Sequence, residues 1–217
     1  MHAPIAAGLL AAFVGFASSF AVVLQGLAGV GASPAQAASG LMALSVCMGL
    51  SGIVLSLRRR MPISVAWSTP GAALLATTGA VEGGFAAATG AFLLTGALLL
   101  AAGLWRPLGR WVQRIPPALA NAMLAGILLV LCLAPARAVA EAPFAGLAIV
   151  IAWAVMARIN RLLAVPAAVA VMVALIVATV TLPAGWADAA WPTPVLTMPT
   201  LTLPAVIGIA LPLFIVT

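Results

Sequence analysis

Ionisable side chains are scarce in this sequence of 217 residues: only 6% are Asp, Glu, Lys or Arg, and histidine occurs once, as His2. A single histidine at the second position excludes a Ser-His dyad or an HExxH zinc site inside the chain, so neither catalysis nor a metal centre is expected, and no cofactor is implied. Cysteine is nearly absent too. Cys47 and Cys132 both lie inside apolar runs without CxxC or Cys/His spacing, and read as packing residues rather than as a disulfide or metal ligands. Lysine is missing altogether. The nine basic residues are all arginine, and against Glu82, Glu141 and Asp188 they give a formal charge of +6. That excess is no nucleic-acid footprint, because the arginines sit in short clusters between apolar runs, where basic residues set membrane orientation.

What the chain does contain is apolar length. Hydrophobic residues make up 65% of it and the mean hydropathy is +1.29, which places it among integral membrane proteins with the lipid bilayer as first partner. The first run, 5–27, is long enough to cross a hydrocarbon core of about 30 Å, and no basic residue precedes it. It therefore reads as a membrane helix, although Ala35-Gln36-Ala37 resembles a signal-peptide cleavage site. Further runs cover 35–57, 85–105, 117–134, the stretch after Pro143 to 157, and 163–182. Pro135 to Pro143 reads as a short loop, and Pro183 to Pro204, with Trp186, Asp188 and Trp191, as an ordered connection along the interface. The run from Ala205 to Thr217, containing Pro212, is short for a crossing. The expected division is a seven-segment unit over 1–203 and the start of an eighth helix over 204–217, in a protein continuing beyond it.

One stretch, Pro62 to Gly79, lies among the spans but is not built like one. Its first part carries β-branched residues up to Trp67. Ser68-Thr69-Pro70-Gly71 then offers a capping hydroxyl and a proline suited to the first helical turn. An extended segment feeding a half-length helix is expected. Non-helical backbone is tolerated at membrane depth only against protein or a watery cavity, which makes this break a candidate binding site. Counting it as a crossing with a cytoplasmic N-terminus puts Arg58 to Arg60, Arg106 to Arg114 and Arg158 to Arg161 all inside, and the three acids outside. Omitting it places the arginine clusters on opposite sides.

At the start of the half-helix, unpaired amides and the positive end of the dipole suit a carboxylate, Gly71 permits close approach, Ser68 and Thr69 add hydroxyls, and Trp67 adds an aromatic wall. The structural alternative is that Ser68 or Thr69 only caps the helix and Trp67 only packs. In the first run, Gly8, Gly15, Ser18, Ser19 and Gln25 admit both close helix packing and polar contact; Asn121 invites the same two readings. No ionisable residue lies mid-span, so a coupled proton would use a group outside this sequence or travel on the ligand as the neutral acid, and Glu82, at the outer end of the broken segment, is the local titratable candidate.

Three stretches, Gly15 to Gln25, Ala66 to Leu75 and Ile115 to Gly126, resemble the BenE family of benzoate/proton symporters, and Ile209 to Thr217 resembles the start of that family's eighth helix. The resemblance implies an all-α polytopic fold of seven plus seven inverted repeats, with a short strand and a half-helix in the third segment. This chain would hold the first repeat, and the second would be missing. It further implies secondary active transport of benzoate or a similar aromatic carboxylate, coupled to protons, across the bacterial inner membrane by a multi-pass protein. A homo-oligomer is compatible with this plan. Under it the substrate site would draw on Ser18, Ser19, Gln25, Trp67, Ser68, Thr69, Pro70 and Gly71. Two alternatives remain open at this point: carriage of another small anion or a nucleobase-like compound on the same fold, and a channel-like or structural membrane subunit.

Overall fold

The computed structural model describes residues 2–105, 117–181 and 193–217, leaving outside it the side chains of residues 2–7 and 18 and most of those of 117–131. Arg106, Arg110, Arg114, Asp188, Trp186 and Trp191 thus fall outside the described residues, as does the Asn121 side chain. The helices are α1 (His2–Gly29), α2 (Pro34–Arg59), α3 (Thr69–Thr78), α4 (Gly84–Leu104), α5 (Pro117–Glu141), α6 (Pro143–Ile159), α7 (Ala164–Thr179, after a 3-10 turn at Arg161–Leu163) and α8 (Leu203–Val216). Among the described residues four stretches, Gly8–Gly29, Pro34–Arg59, Gly84–Leu104 and Arg161–Thr179, are long and apolar enough to cross a membrane. Exposed apolar side chains such as Val54 on α2 and Leu100 on α4 are what lipid-facing helices present. The chain divides into two compact units, one of Met1–Ala21 and Val130–Trp191, the other of Val22–Leu129 and Pro192–Thr217.

In the first unit α6 lies close against the end of α5. A Cβ on Gly146 would stand 2.8 Å from the Val139 Cα, so only glycine lets the two backbones approach this closely. The loop expected between Pro135 and Pro143 is instead helix as far as Glu141. Pro135 removes one amide from the ladder without ending the helix, a change that membrane helices tolerate better than soluble ones.

The second unit shows why its elements start and stop where they do. Ser33 and Gln36 form a capping box: the Gln36 amide donates to Ser33 Oγ (3.3 Å) while the Ser33 amide donates to Gln36 Oε1 (2.9 Å), with Pro34 in the first turn. Arg60 ends α2 in a left-handed conformation (φ 53°), and Arg58 and Arg59 place positive charge at the negative end of its dipole. The chain then runs without helix from 62 to 68. Ser56 Oγ on α2 holds this segment at Ile63, accepting from its N–H (3.0 Å) and donating to its C=O (3.2 Å). The expected short strand is absent: no ladder pairs the extended segment among the described residues, and side-chain bonding replaces it. The half-helix itself is present. Its 10 residues rise about 15 Å, half of a hydrocarbon core.

Small residues bring these pieces together. A Cβ on Gly26 of α1 would lie 2.5 Å from the Ala72 carbonyl oxygen of α3, and one on Gly29 would lie 2.9 Å from the Ala76 Cα. Val30 and Leu75 are buried with Ala87, Ala88 and Ala91 of α4 and with Ile209 and Ala210 of α8 in one core. Val23, Leu27, Ala37 and Ala72 form another. Residues 193–202 of the connection before α8 are bonded to helices: the Thr200 N–H donates to the Ala86 C=O (3.0 Å), the Val195 N–H to Ser39 Oγ (2.9 Å), and Gln36 Nε2 to Thr197 Oγ1 (3.2 Å). Isolated extended backbone gains hydrogen-bond partners in this way. Within α8, residues Val206–Ala210 form a π turn with the Leu211 N–H bonded to the Val206 C=O. Pro212 follows at once; its ring would clash with the Gly208 carbonyl of a regular α-helix, and the wider turn relieves that clash.

Candidate functional site

Ser68 is the N-cap of α3, with extended backbone (φ −77°, ψ 101°) and Pro70 in the first turn. Its Oγ accepts from the Gly71 N–H (3.1 Å), and its carbonyl accepts from the Ala72 N–H (3.0 Å). Fewer amides are therefore left at this helix end than expected from sequence. Pro70 has none and Ser68 takes two, so Thr69 supplies the remaining first-turn N–H. Because a main-chain N–H can only donate, Ser68 Oγ is held as an acceptor at Gly71, and its own proton remains for another partner.

That helix end opens on a cavity of about 510 Å³, all of whose lining residues belong to the second unit. Trp67, Ser68, Gly71 and Leu75 form one wall, and Val23 and Leu27 of α1 adjoin them. Helix α4 contributes Phe85, Thr89, Phe92 and Thr95; Gln36 and Ser39 come from α2, residues 195–197 from the connection and Leu213 from α8. Among the described residues the lining is mostly apolar and aromatic, with a few uncharged polar groups and no ionisable side chain. This composition suits a small, largely apolar ligand oriented by a few hydrogen bonds. Gly71 matters twice. A Cβ there would meet Leu213 Cδ1 at 2.7 Å and Ser68 Oγ at 3.1 Å, so glycine keeps both the cap and the cavity wall in place.

Of the residues singled out from sequence, Trp67, Ser68 and Gly71 line the cavity together, whereas Thr69 and Pro70 are half-buried in the same turn without lining it. Gln25 is exposed on α1 and stands outside the wall. Ser19 lies in the other unit, where its Oγ donates to the Gly15 carbonyl (2.8 Å); Ser18 is in that unit too, with its side chain outside the described residues. Glu82 is exposed and off the cavity wall, and its carbonyl accepts from Thr202 Oγ1 (3.3 Å). Sequence reasoning did not single out Gln36, Ser39, Phe85, Phe92 or residues 195–197. The capping box Ser33-Pro34-Ala35-Gln36 was a usable signal for the first of these.

The profile of the BenE family, described as "Benzoate membrane transport protein", matches residues 1–217. The chain is 43% identical over 123 residues to inner membrane protein YdcO of Escherichia coli K12, a match covering 57% of this chain and 31% of that protein. It is 29% identical over 122 residues to the benzoate membrane transport protein of Acinetobacter baylyi, covering 56% and 31%. The matches thus span under a third of each curated relative's length. No solved structure matches.

Proposed function

The chain belongs to the BenE family of benzoate membrane transport proteins, and from that premise we propose that it forms part of a multi-pass inner-membrane carrier for benzoate or a similar aromatic carboxylate. The observation that supports this most is the α3 end opening on an apolar, aromatic cavity. A carboxylate placed there meets the Ser68 hydroxyl proton, the Thr69 N–H and the positive end of the helix dipole. Its ring lies against Trp67, Phe85 and Phe92, whose flat faces suit an aromatic substrate. Ser68, Thr69, Pro70 and Gly71 are the proposed carboxylate turn and Trp67 the ring contact, with Ser18, Ser19 and Gln25 of α1 completing the site outside the described cavity.

The remaining architecture is part of the same proposal. Residues 1–203 make the first repeat of a seven-plus-seven inverted plan and 204–217 begin the second, with the N-terminus in the cytoplasm so that the arginine clusters face inward. Transport is coupled to protons. Among the described residues no ionisable side chain lines the cavity, so the proton travels with the substrate as the neutral acid, through a group in the second repeat, or through Glu82. Uptake of labelled benzoate by cells expressing the gene tests this reading. It should exceed that of control cells and fall when the pH gradient is collapsed. Absence of uptake refutes the substrate class, and uptake indifferent to the gradient refutes proton coupling.

A further inference from the structure

The cavity has polar groups away from α3, and their hydrogen-bond directions are fixed by their partners. Thr89 and Thr95 are already committed, since each donates its hydroxyl proton to a carbonyl of its own helix, Phe85 and Ala91, at 2.8 Å. Ser39 and Thr197 have the opposite polarity. Ser39 Oγ accepts from the Val195 N–H (2.9 Å), and Thr197 Oγ1 accepts from Gln36 Nε2 (3.2 Å). Neither donor can reverse its role, so both hydroxyl protons remain for other acceptors. Gln36 has its carbonyl oxygen occupied by the Ser33 amide (2.9 Å), which leaves its second amide proton as its remaining function. Ser39 is only 8% exposed, yet it lines the cavity. The seam between α2 and the connection therefore offers three uncommitted side-chain protons, and no charge among the described residues.

We propose that this seam, Gln36, Ser39 and Thr197, is a second recognition point that favours aromatic acids bearing a hydrogen-bond acceptor on the ring. The inference rests on the carboxylate site proposed above. It adds that a methoxy or carbonyl substituent on the ring accepts from the protons of this seam. The volume agrees with this. A cavity of about 510 Å³ lies in the range for drug-sized ligands and leaves room beyond one unsubstituted ring.

The test is competition against labelled benzoate uptake by a positional series of methoxybenzoates, in cells expressing the natural sequence, Ser39→Ala or Thr197→Val. At least one methoxy isomer should compete about three- to tenfold better than benzoate, as expected for one or two neutral hydrogen bonds. Both variants should lose that advantage while benzoate uptake persists, and Thr197→Ser, which restores a hydroxyl, should recover it. Benzoate uptake with equal competition by all isomers overturns the seam and leaves the carrier reading intact. An advantage unchanged in both variants also overturns it. No uptake of benzoate by the natural sequence refutes the carrier reading itself.

Discussion

Replacing Gly26 by alanine adds one methyl group where α1 meets the half-helix. The new Cβ would stand 2.5 Å from the Ala72 carbonyl oxygen, 3.2 Å from its carbonyl carbon and 3.3 Å from its Cα. All three are main-chain atoms, so no rotamer change relieves the contact. The helices must separate by close to ~1 Å to reach ordinary van der Waals distance. Overpacking of this kind costs about 1–3 kcal/mol, while alanine's better helix propensity returns about 1 kcal/mol. The net loss of stability is therefore modest, roughly 0–2 kcal/mol.

Function should suffer more than stability. Ala72 directly follows the Ser68–Gly71 turn and lines the cavity, so a displacement of α3 carries the proposed carboxylate donors with it. A misplacement of ~1 Å in a positioned group can cost about a hundredfold in rate. The assay pairs initial benzoate uptake with membrane abundance and the thermal midpoint in detergent. Gly15→Ala serves as the control: its Cβ meets no described atom within 4 Å, so no clash with the described residues accompanies the propensity gain. Gly26→Ala should lose at least tenfold in uptake with the protein still in the membrane. Uptake equal to that of Gly15→Ala would show that the position of α3 does not govern transport.

Ser68→Ala removes the N-cap and the proposed substrate donor together. About 1 kcal/mol of stability and a larger share of benzoate uptake should be lost, with Ser68→Thr restoring much of both; normal uptake in Ser68→Ala would remove the hydroxyl from the site. Thr95→Val keeps the shape of a buried side chain but deletes the proton shared by the Ala91 (2.8 Å) and Ala210 (3.3 Å) carbonyls. It should lower the thermal midpoint by the equivalent of ~1 kcal/mol, and an unchanged midpoint would show that this tie between α4 and α8 contributes nothing. Glu82→Gln should abolish the response of uptake to a pH gradient if Glu82 carries the coupled proton; an intact response would remove Glu82 from the proton route.

Much of the helix plan was legible because it depends on local chemistry. The span over 85–105, the break after Arg60 and the start of the half-helix at Ser68-Thr69-Pro70 follow from run length, capping hydroxyls and proline placement, each confined to a few neighbouring residues. The places not legible in sequence depend on distant partners. Gln36 and Thr197 are 161 residues apart, and Ser39 and Val195 are 156 apart. No local pattern marks residues 193–202 as bonded to α2 and α4. The short strand failed for the same kind of reason: β-branched residues favour extended backbone, but a strand needs a paired neighbour, and at Ile63 a serine side chain takes that role.

The first helix shows how far composition can mislead where geometry decides. Gln25 drew attention as a polar residue in an apolar run, yet the buried positions around it are Val23, Gly26, Leu27 and Val30. Their spacing of i, i+3, i+4 and i+7 defines one face at 3.6 residues per turn. Gln25 is about 200° round the helix from Val23, on the opposite side. Gly26, which carries no polar atom in its side chain, sits where α1 touches α3. The contact that positions the proposed carboxylate turn is thus made by the residue with the least chemistry, through closeness of approach alone. This is why the glycine is expected to be more sensitive to substitution than the glutamine beside it: Gln25→Ala should leave stability within about 0.5 kcal/mol of the natural protein, as exposed substitutions generally do. A larger loss would show that the Gln25 side chain makes a stabilising contact.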